Sequence, residues 1–265
     1  MFLFTDIVKA VLLGVLEGVT EFLPISSTGH LILAGNLLSF TGERAKAFEI
    51  FIQLGAILSV VWLYRAKIFS VIRDFGNVGS TRFITNIIIA FLPAAIIGLA
   101  VHSWIKLHLF NTVTVAAALI VGGLIMLFIE KAFKTPRSLE LDGMSRRSAL
   151  GIGIAQVFSL FPGVSRSGAT IMGGLVMGLD RKTATEFSFF LAIPTMFAAT
   201  LYDLLKNLNS LSAADIPVFG AGFTVAFIAA MLVIRAFLGF VTRHSFSAFA
   251  YYRIIFGVIV LLMLR

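Results

Sequence analysis

Long runs of apolar residues fill most of the sequence, and polar residues are concentrated between them. Three of these runs carry no charged residue: NIIIAFLPAAIIGLAV (86–101), VTVAAALIVGGLIMLFI (113–129) and VFGAGFTVAFIAAMLVI (218–234). A helix needs about 20 mostly apolar residues to cross a bilayer. The pattern predicts six full membrane spans, near 47–63, 86–101, 113–129, 185–203, 218–237 and 250–264.

Two further apolar stretches, 5–38 and 149–179, are interrupted near their middles. The interruptions are PISSTGH (24–30) and PGVSRSG (162–168), in which a proline ends the helix and Ser, Thr and Gly favour a turn. Non-helical backbone is tolerated at membrane depth only where it is buried in protein or lines a polar cavity. We therefore expect an all-α polytopic membrane protein with six transmembrane helices and two re-entrant helix hairpins.

Composition agrees with this fold class and excludes several functions. Hydrophobic residues make up 59% and charged residues 13% of the chain, against about half and a quarter in soluble domains. The chain has no cysteine, which excludes disulfides and thiolate chemistry. The first apolar segment has no basic leader and carries three acidic residues, so a cleaved signal peptide is not predicted. The net charge is +8, but the basic residues lie mostly in short loops between the apolar runs. That distribution is typical of membrane topology and argues against nucleic acid as a partner.

The basic residues also predict an orientation. The loops 64–85, 130–148, 180–184 and 238–249 would share one face, and they hold twelve basic residues: Arg65, Lys67, Arg73, Arg82, Lys131, Lys134, Arg137, Arg146, Arg147, Arg181, Lys182 and Arg243. The opposite loops, 39–46, 102–112 and 204–217, hold four: Arg44, Lys46, Lys106 and Lys206. The positive-inside rule puts the first set in the cytoplasm and both termini outside. The first hairpin then enters from outside and the second from inside.

This layout is that of an inverted repeat, and the sequence contains one. LGVLEGVTEFLPISSTGHLI (13–32) aligns with IGIAQVFSLFPGVSRSGATI (152–171), so that both proline breaks coincide and Gly29 falls on Gly168. Glu49 aligns with Glu186. We expect a single membrane domain built of two halves, 1–130 and 148–265, with the breaks meeting between them.

Glu17 and Glu21 lie four residues apart, on one face of the helix that leads into the first break. Two like charges repel there, and an apolar environment raises the cost of each. They could share a proton or snorkel beside a neighbouring helix. A divalent cation held between them in a wet pocket explains the pair better, and hard oxygen ligands suit Mg²⁺ or Ca²⁺.

Three hydroxyl residues and an imidazole occupy the first break: Ser26, Ser27, Thr28 and His30. One hydroxyl is expected to cap a helix that begins near Leu31. A hydroxyl beside a histidine and a carboxylate is also the arrangement that activates an oxygen nucleophile.

Arg166 is the one charged residue of the second broken helix pair and needs an anionic partner at membrane depth. That partner is either a glutamate of the chain or a phosphate, because the guanidinium fork matches phosphate oxygens. Hydroxyl groups that could add phosphate contacts lie near it in the chain, at Ser165, Ser167 and Thr170, and in the first break, at Ser26 and Thr28. Together the two hairpins offer the groups needed for metal-assisted phosphoryl transfer. Glu49 and Glu186 begin their spans, and their role stays open.

The segments EGVTEFLPISSTGH (17–30) and PGVSRSGAT (162–170) resemble the two signature regions of bacterial undecaprenyl-diphosphate phosphatases, and the resemblance covers essentially the whole chain. It implies an inner-membrane hydrolase, associated with bacitracin resistance, that removes the terminal phosphate of a C55 isoprenoid diphosphate and recycles the lipid carrier of cell-wall synthesis. The site would open to the periplasm.

The resemblance also implies roles for single residues. It assigns the acidic pair to Glu17 and Glu21, the hydroxyl to Ser27, the histidine to His30 and the arginine to Arg166. The sequence leaves open whether Ser27, His30 or water is the nucleophile. It also leaves open whether the chain forms a homodimer among the bilayer lipids. A transporter or flippase of an anionic polyprenyl lipid is the alternative, because broken helices in inverted repeats are also a transporter layout.

Overall fold

The computed structural model describes residues 2–109, 111–133, 140–207 and 212–263. Within these ranges the chain is helical and contains no β-strand, which confirms the all-α prediction. Its α-helices, in order, are α1 (Phe2–Thr20), α2 (Ser27–Leu37), α3 (Glu43–Leu63), α4 (Arg65–Arg73), α5 (Val78–His108), α6 (Thr112–Ala132), α7 (Arg146–Val157), α8 (Arg166–Val176), α9 (Arg181–Asn207), α10 (Ile216–Val241) and α11 (Ser247–Leu262).

Among the described residues, five helices are long and apolar enough to cross a membrane: α3, α5, α6, α9 and α10. They coincide with five of the six predicted spans, so the chain is a multi-pass membrane protein. The sixth prediction, 250–264, falls on α11, which is apolar but has 16 residues, and residue 264 lies outside the described ranges. Lys134 and Arg137, which entered the count of loop charges, also lie outside them.

Helix α5 is much longer than its predicted span of 86–101. It runs for 31 residues, roughly 46 Å at 1.5 Å per residue, and therefore exceeds a hydrocarbon core of about 30 Å. Hydropathy marks the part of a helix that is apolar, whereas the same helix continues through the more polar segments on either side, 78–85 and 102–108.

Both predicted helix breaks are present, but each is shorter than its sequence motif suggests. The first lies between Thr20 and Ser27, and the second lies between a 3₁₀ turn at Phe158–Leu160 and Arg166. Ser27 and His30 therefore stand in the first turn of α2. The expected helix start near Leu31 is wrong by four residues, because an α-helix can begin as soon as the chain leaves the positive φ of 70° at Ser26.

The two hairpins have matching local geometry. Helices α2 and α8 both contain 11 residues, and each follows a serine with positive φ, Ser26 at 70° and Ser165 at 73°. Positive φ is uncommon outside glycine, so its recurrence at aligned positions agrees with the repeat. The division into halves at 1–130 and 148–265 stays a prediction.

The first helix of each hairpin packs on a long helix that is distant in the chain, α1 on α10 and α7 on α5. Small residues allow these close approaches. A Cβ added to Gly14 would lie 2.5 Å from the carbonyl oxygen of Gly222, and one added to Gly153 would lie 2.6 Å from that of Ala90. The two breaks lie close together, since the hydroxyl of Ser167 donates to the carbonyl of Leu23 at 2.8 Å.

Candidate active site

A cavity of about 710 Å³ lies where the two hairpins meet. Its polar wall combines side chains from both halves of the chain: Glu17, Glu21, Ser26, Ser27, Thr28, Ser165 and Arg166. Each of these residues is a candidate from the sequence alone. They come from two segments more than 130 positions apart, and the fold brings them to one surface.

Glu21 is the centre of this wall. The hydroxyl of Ser27 donates a 2.5 Å hydrogen bond to Oε2 of Glu21, and Nη2 of Arg166 donates to Oε1 at 3.0 Å. The side chains of Arg166 and Glu21 are 11% and 7% exposed, so the ion pair is largely withdrawn from solvent. One carboxylate thus joins the hydroxyl of the first hairpin to the guanidinium of the second.

Glu17 is in a different situation, although it lies one turn away. It is 1% exposed, and neither carboxylate oxygen has a hydrogen-bond partner within the described part of the chain. Its charged neighbours are Glu21, Glu49 and Arg166. A buried carboxylate without a donor is costly, so the position favours a cation or a proton.

The described residues contain no group of three or more His, Asp or Glu side chains arranged to hold a metal ion. Mg²⁺ nevertheless commonly binds through one or two carboxylates and takes its other oxygens from water and substrate phosphate. The unpartnered oxygens of Glu17, beside Glu21, fit that kind of site. Glu49 also lines the cavity, whereas Glu186 is not among its lining residues.

Arg166 opens α8 and is held from several sides. Nη1 donates to the carbonyl of Ser188 at 3.2 Å, and Nη2 also contacts the sulfur of Met196 at 3.1 Å. Its Nε has no partner among the described residues. The ion pair with Glu21 supplies one of the two partners predicted for Arg166. Its Nε is still available to donate to a phosphate, the other predicted partner.

His30 is buried and is not among the residues that line the cavity. Nδ1 is 2.7 Å from the carbonyl oxygen of Ser26, so it must carry the proton of a neutral ring, and Nε2 accepts from the hydroxyl of Tyr252 at 2.7 Å. The ring stacks on Phe256 with centroids 4.3 Å apart. Both ring nitrogens are therefore engaged by groups other than Ser27.

The other hydroxyl groups divide into two sets. Ser165 lines the cavity and caps α8 by accepting from the backbone N–H of Gly168, whereas Ser26 makes no side-chain cap. Ser167 donates to the carbonyl of Leu23, and Thr170 bonds to Ser188. Ser167 and Thr170 are fully buried and tie the hairpins to their surroundings, and their predicted phosphate contacts stay predictions.

Residues 10–259 match the model of the family described as Bacitracin resistance protein BacA. The chain belongs to this family. A relative from Laribacter hongkongensis (strain HLHK9), named undecaprenyl-diphosphatase, is 53% identical over 96% of this chain and 93% of its own length. Relatives with the same name are 54% identical in Dechloromonas aromatica (strain RCB), over 96% and 93%, and 53% identical in Methylobacillus flagellatus, over 96% and 97%.

The remaining walls of the cavity in this BacA-family chain are mostly apolar, with Leu31, Ile32, Phe91, Ala94 and Ala198 among the lining residues. The cavity also reaches Thr41, Ile105 and Tyr202, which lie in or beside the three loops that are poor in basic residues. An amphipathic cavity of this kind suits a molecule with an anionic head and an apolar tail.

Two residues of this region were not expected from the sequence, Tyr252 and Arg253. Both lie on α11, and Arg253 is 1% exposed. Their signal in the sequence was a polar YYR segment at the start of the predicted 250–264 span, where polar residues are costly.

Proposed function

We propose that this protein hydrolyses undecaprenyl diphosphate to undecaprenyl phosphate and inorganic phosphate, and so recycles the lipid carrier of cell-wall synthesis. The observation that carries the proposal is the hydrogen-bonded series Ser27–Glu21–Arg166 on the wall of an amphipathic cavity. The relatives named undecaprenyl-diphosphatase support the choice of substrate.

In the proposed reaction Oγ of Ser27 attacks the terminal phosphorus. Its proton passes to Glu21, the nearest acceptor, and the bond from that phosphorus to the bridging oxygen breaks. Undecaprenyl phosphate leaves with the bridging oxygen. Water then attacks the phosphorus of the phosphoserine, the bond from that phosphorus to Oγ breaks, and inorganic phosphate is released. The proton held by Glu21 returns to Oγ, which restores the hydroxyl of Ser27.

Arg166 and the N-terminus of α8 favour the negative charge that builds up on the phosphoryl oxygens. The Nε of Arg166 has no partner among the described residues and can donate to one oxygen, while the ion pair fixes the guanidinium. Glu17, with Glu21, would hold a Mg²⁺ or Ca²⁺ ion, which supplies further charge neutralisation when bound. Ser26, Thr28 and Ser165 complete the polar wall as phosphate-contacting hydroxyls.

The proposal includes a location. With six spans and two re-entrant hairpins in the inner membrane, the loops that border the cavity are those with few basic residues, which the positive-inside rule assigns to the periplasm. A single chain contains every residue used here, so the chemistry does not require a homodimer.

Phosphate release from the C55 diphosphate by detergent-purified protein tests the function. Release is expected with Mg²⁺ or Ca²⁺ and should stop when a chelator is present. A soluble diphosphate without an apolar tail serves as the control and should be hydrolysed far more slowly. Binding of the lipid without release of phosphate under any of these conditions would overturn the proposal and leave an anionic-lipid carrier.

A further inference from the structure

A buried arginine outside the site, Arg253 on α11, connects the two helix breaks. Its Nη1 donates to the carbonyl of Pro24 at 3.3 Å, and its Nη2 donates to the carbonyl of Gly163 at 3.0 Å and to that of Ala118 on α6 at 3.3 Å. Pro24 belongs to the first break and Gly163 to the second. One guanidinium therefore bonds to the backbone of both hairpins.

In the described part of the chain, no carboxylate neutralises the charge of Arg253. The side chain is 1% exposed and forms no ion pair with a carboxylate in the part of the chain that the structure describes. Backbone carbonyls are its partners, and those in the breaks lie where the helical pattern of N–H partners is interrupted. Burying an unpaired cation destabilises the fold, so its position between two broken helices points to a structural or functional role.

The spacing along the chain supplies that reason. Pro24 stands three residues before Ser27, and Gly163 stands three residues before Arg166. Between each carbonyl and its site residue lies a serine with positive φ, Ser26 in one hairpin and Ser165 in the other. The guanidinium of Arg253 is rigid and planar, so it holds the two carbonyls at a fixed separation. Ser27 and Arg166, three residues further along each break, are thereby held in a fixed relative position.

We infer that Arg253 is a positioning residue of the active site, which holds Ser27 and Arg166 in register by bonding to the carbonyls of both breaks. The inference rests on the proposed function for its effect on turnover. Arg253 does not line the cavity and is not expected to touch the substrate. Its loss should therefore lower kcat and leave KM close to the wild-type value.

Two variants disturb this contact in different ways. Arg253→Lys keeps the charge but replaces the fork by one ammonium group, which cannot reach all three carbonyls. Gly122→Ala leaves Arg253 in place, but the added Cβ would run into Nη2 of its guanidinium. Each has a matched control. Arg181→Lys alters an arginine bound to Glu130, and Gly220→Ala adds a Cβ to a helical glycine with open space around it.

The experiment measures kcat and KM for the C55 diphosphate, together with the distance between spin labels at Leu37→Cys and Val176→Cys, the last residues of α2 and α8. The chain has no cysteine of its own, so the labels are specific. We expect kcat to fall about 100-fold in Arg253→Lys and Gly122→Ala, as for a displacement of about 1 Å in a reacting group. The label distances should broaden in both, and both controls should behave like the wild type.

Unchanged kcat and unchanged label distances in Arg253→Lys would overturn the inference, as would a rise in KM at constant kcat. If Arg253→Lys cannot be purified as a folded protein, Gly122→Ala decides the question by the same criteria. A wild-type protein that releases no phosphate would refute the proposed function, whereas the label distances would still test the register of the two hairpins.

Discussion

Ser27 donates its hydroxyl proton to Glu21 across 2.5 Å, in a bond between the first turn of α2 and the segment that follows α1. From the sequence alone, His30 is an alternative base for Ser27. In the structure His30 instead bonds to the Ser26 carbonyl and the Tyr252 hydroxyl. The geometry therefore favours Glu21 as the group that takes the proton from Ser27.

The nucleophile is tested by Ser27→Ala. Without an activated hydroxyl, turnover should fall by about 1000-fold or more, while binding of the lipid persists. Acid quenching of the wild-type reaction followed by mass spectrometry should find phosphate on Ser27. Ser59→Ala, which removes another buried hydroxyl bonded to a carbonyl, is the control for folding. Near-normal turnover of Ser27→Ala would mean that water or His30, and not Ser27, attacks the phosphorus.

The base is tested by comparing Glu21→Gln with His30→Gln. In Glu21→Gln the new amide keeps the size of the side chain but cannot take up the proton, and it also weakens the pair with Arg166. We expect a loss of about 100-fold or more for Glu21→Gln and a smaller loss for His30→Gln. The opposite order of the two kcat values would make His30 the base and require its ring to turn away from Tyr252.

The cation is tested at Glu17, whose carboxylate oxygens lack partners in the described chain. Chelation should abolish phosphate release, and Mg²⁺ or Ca²⁺ should restore it. Glu17→Gln should raise the cation concentration needed for half-maximal activity and weaken cation binding measured by calorimetry, because a neutral amide is a poorer ligand for a hard ion. Full turnover of chelator-treated protein would remove the metal from the mechanism.

Arg166→Lys separates the phosphate contact from the ion pair. Lysine can still pair with Glu21, but it has no counterpart to the planar fork or to the Nε that lacks a partner in the described chain. Loss of one donor to a developing oxyanion typically costs about 100-fold or more in kcat, and we expect a loss of that size. Arg235→Lys, an exposed arginine of α10, is the control. If Arg166→Lys turns over normally, Arg166 is an ion-pair partner only.

Much of the architecture was predictable because lipid leaves few alternatives. Apolar runs long enough to span hydrocarbon become helices, and a Pro–Ser–Gly segment inside one must break it. The charges at positions 17, 21 and 166 stood out for the same reason, since each is costly unless it is used. The aligned breaks then indicated that the two hairpins would meet.

The contacts between distant elements were not predictable. His30 and Tyr252 are 222 residues apart, and Arg253 reaches both breaks from the last helix. Spacing along a helix tells which side chains share its face, but the position of α11 relative to α2 depends on how all the helices pack. The assignment of the base to His30 or Glu21 depended on that packing, so the sequence left it open.

The orientation of the protein determines on which side of the membrane phosphate is released, and two single cysteines test it. Phe75, 71% exposed, lies in the predicted cytoplasmic segment 64–85, and Glu43, whose side chain is 65% exposed, lies in the predicted periplasmic segment 39–46 near the cavity. A membrane-impermeant maleimide added to spheroplasts should label Glu43→Cys and not Phe75→Cys. Permeabilised membranes should label both, which checks that each thiol is reactive. Labelling of Phe75→Cys alone in spheroplasts would show that the topology is the reverse of the predicted one. The cavity mouth would then face the cytoplasm, contrary to the positive-inside rule.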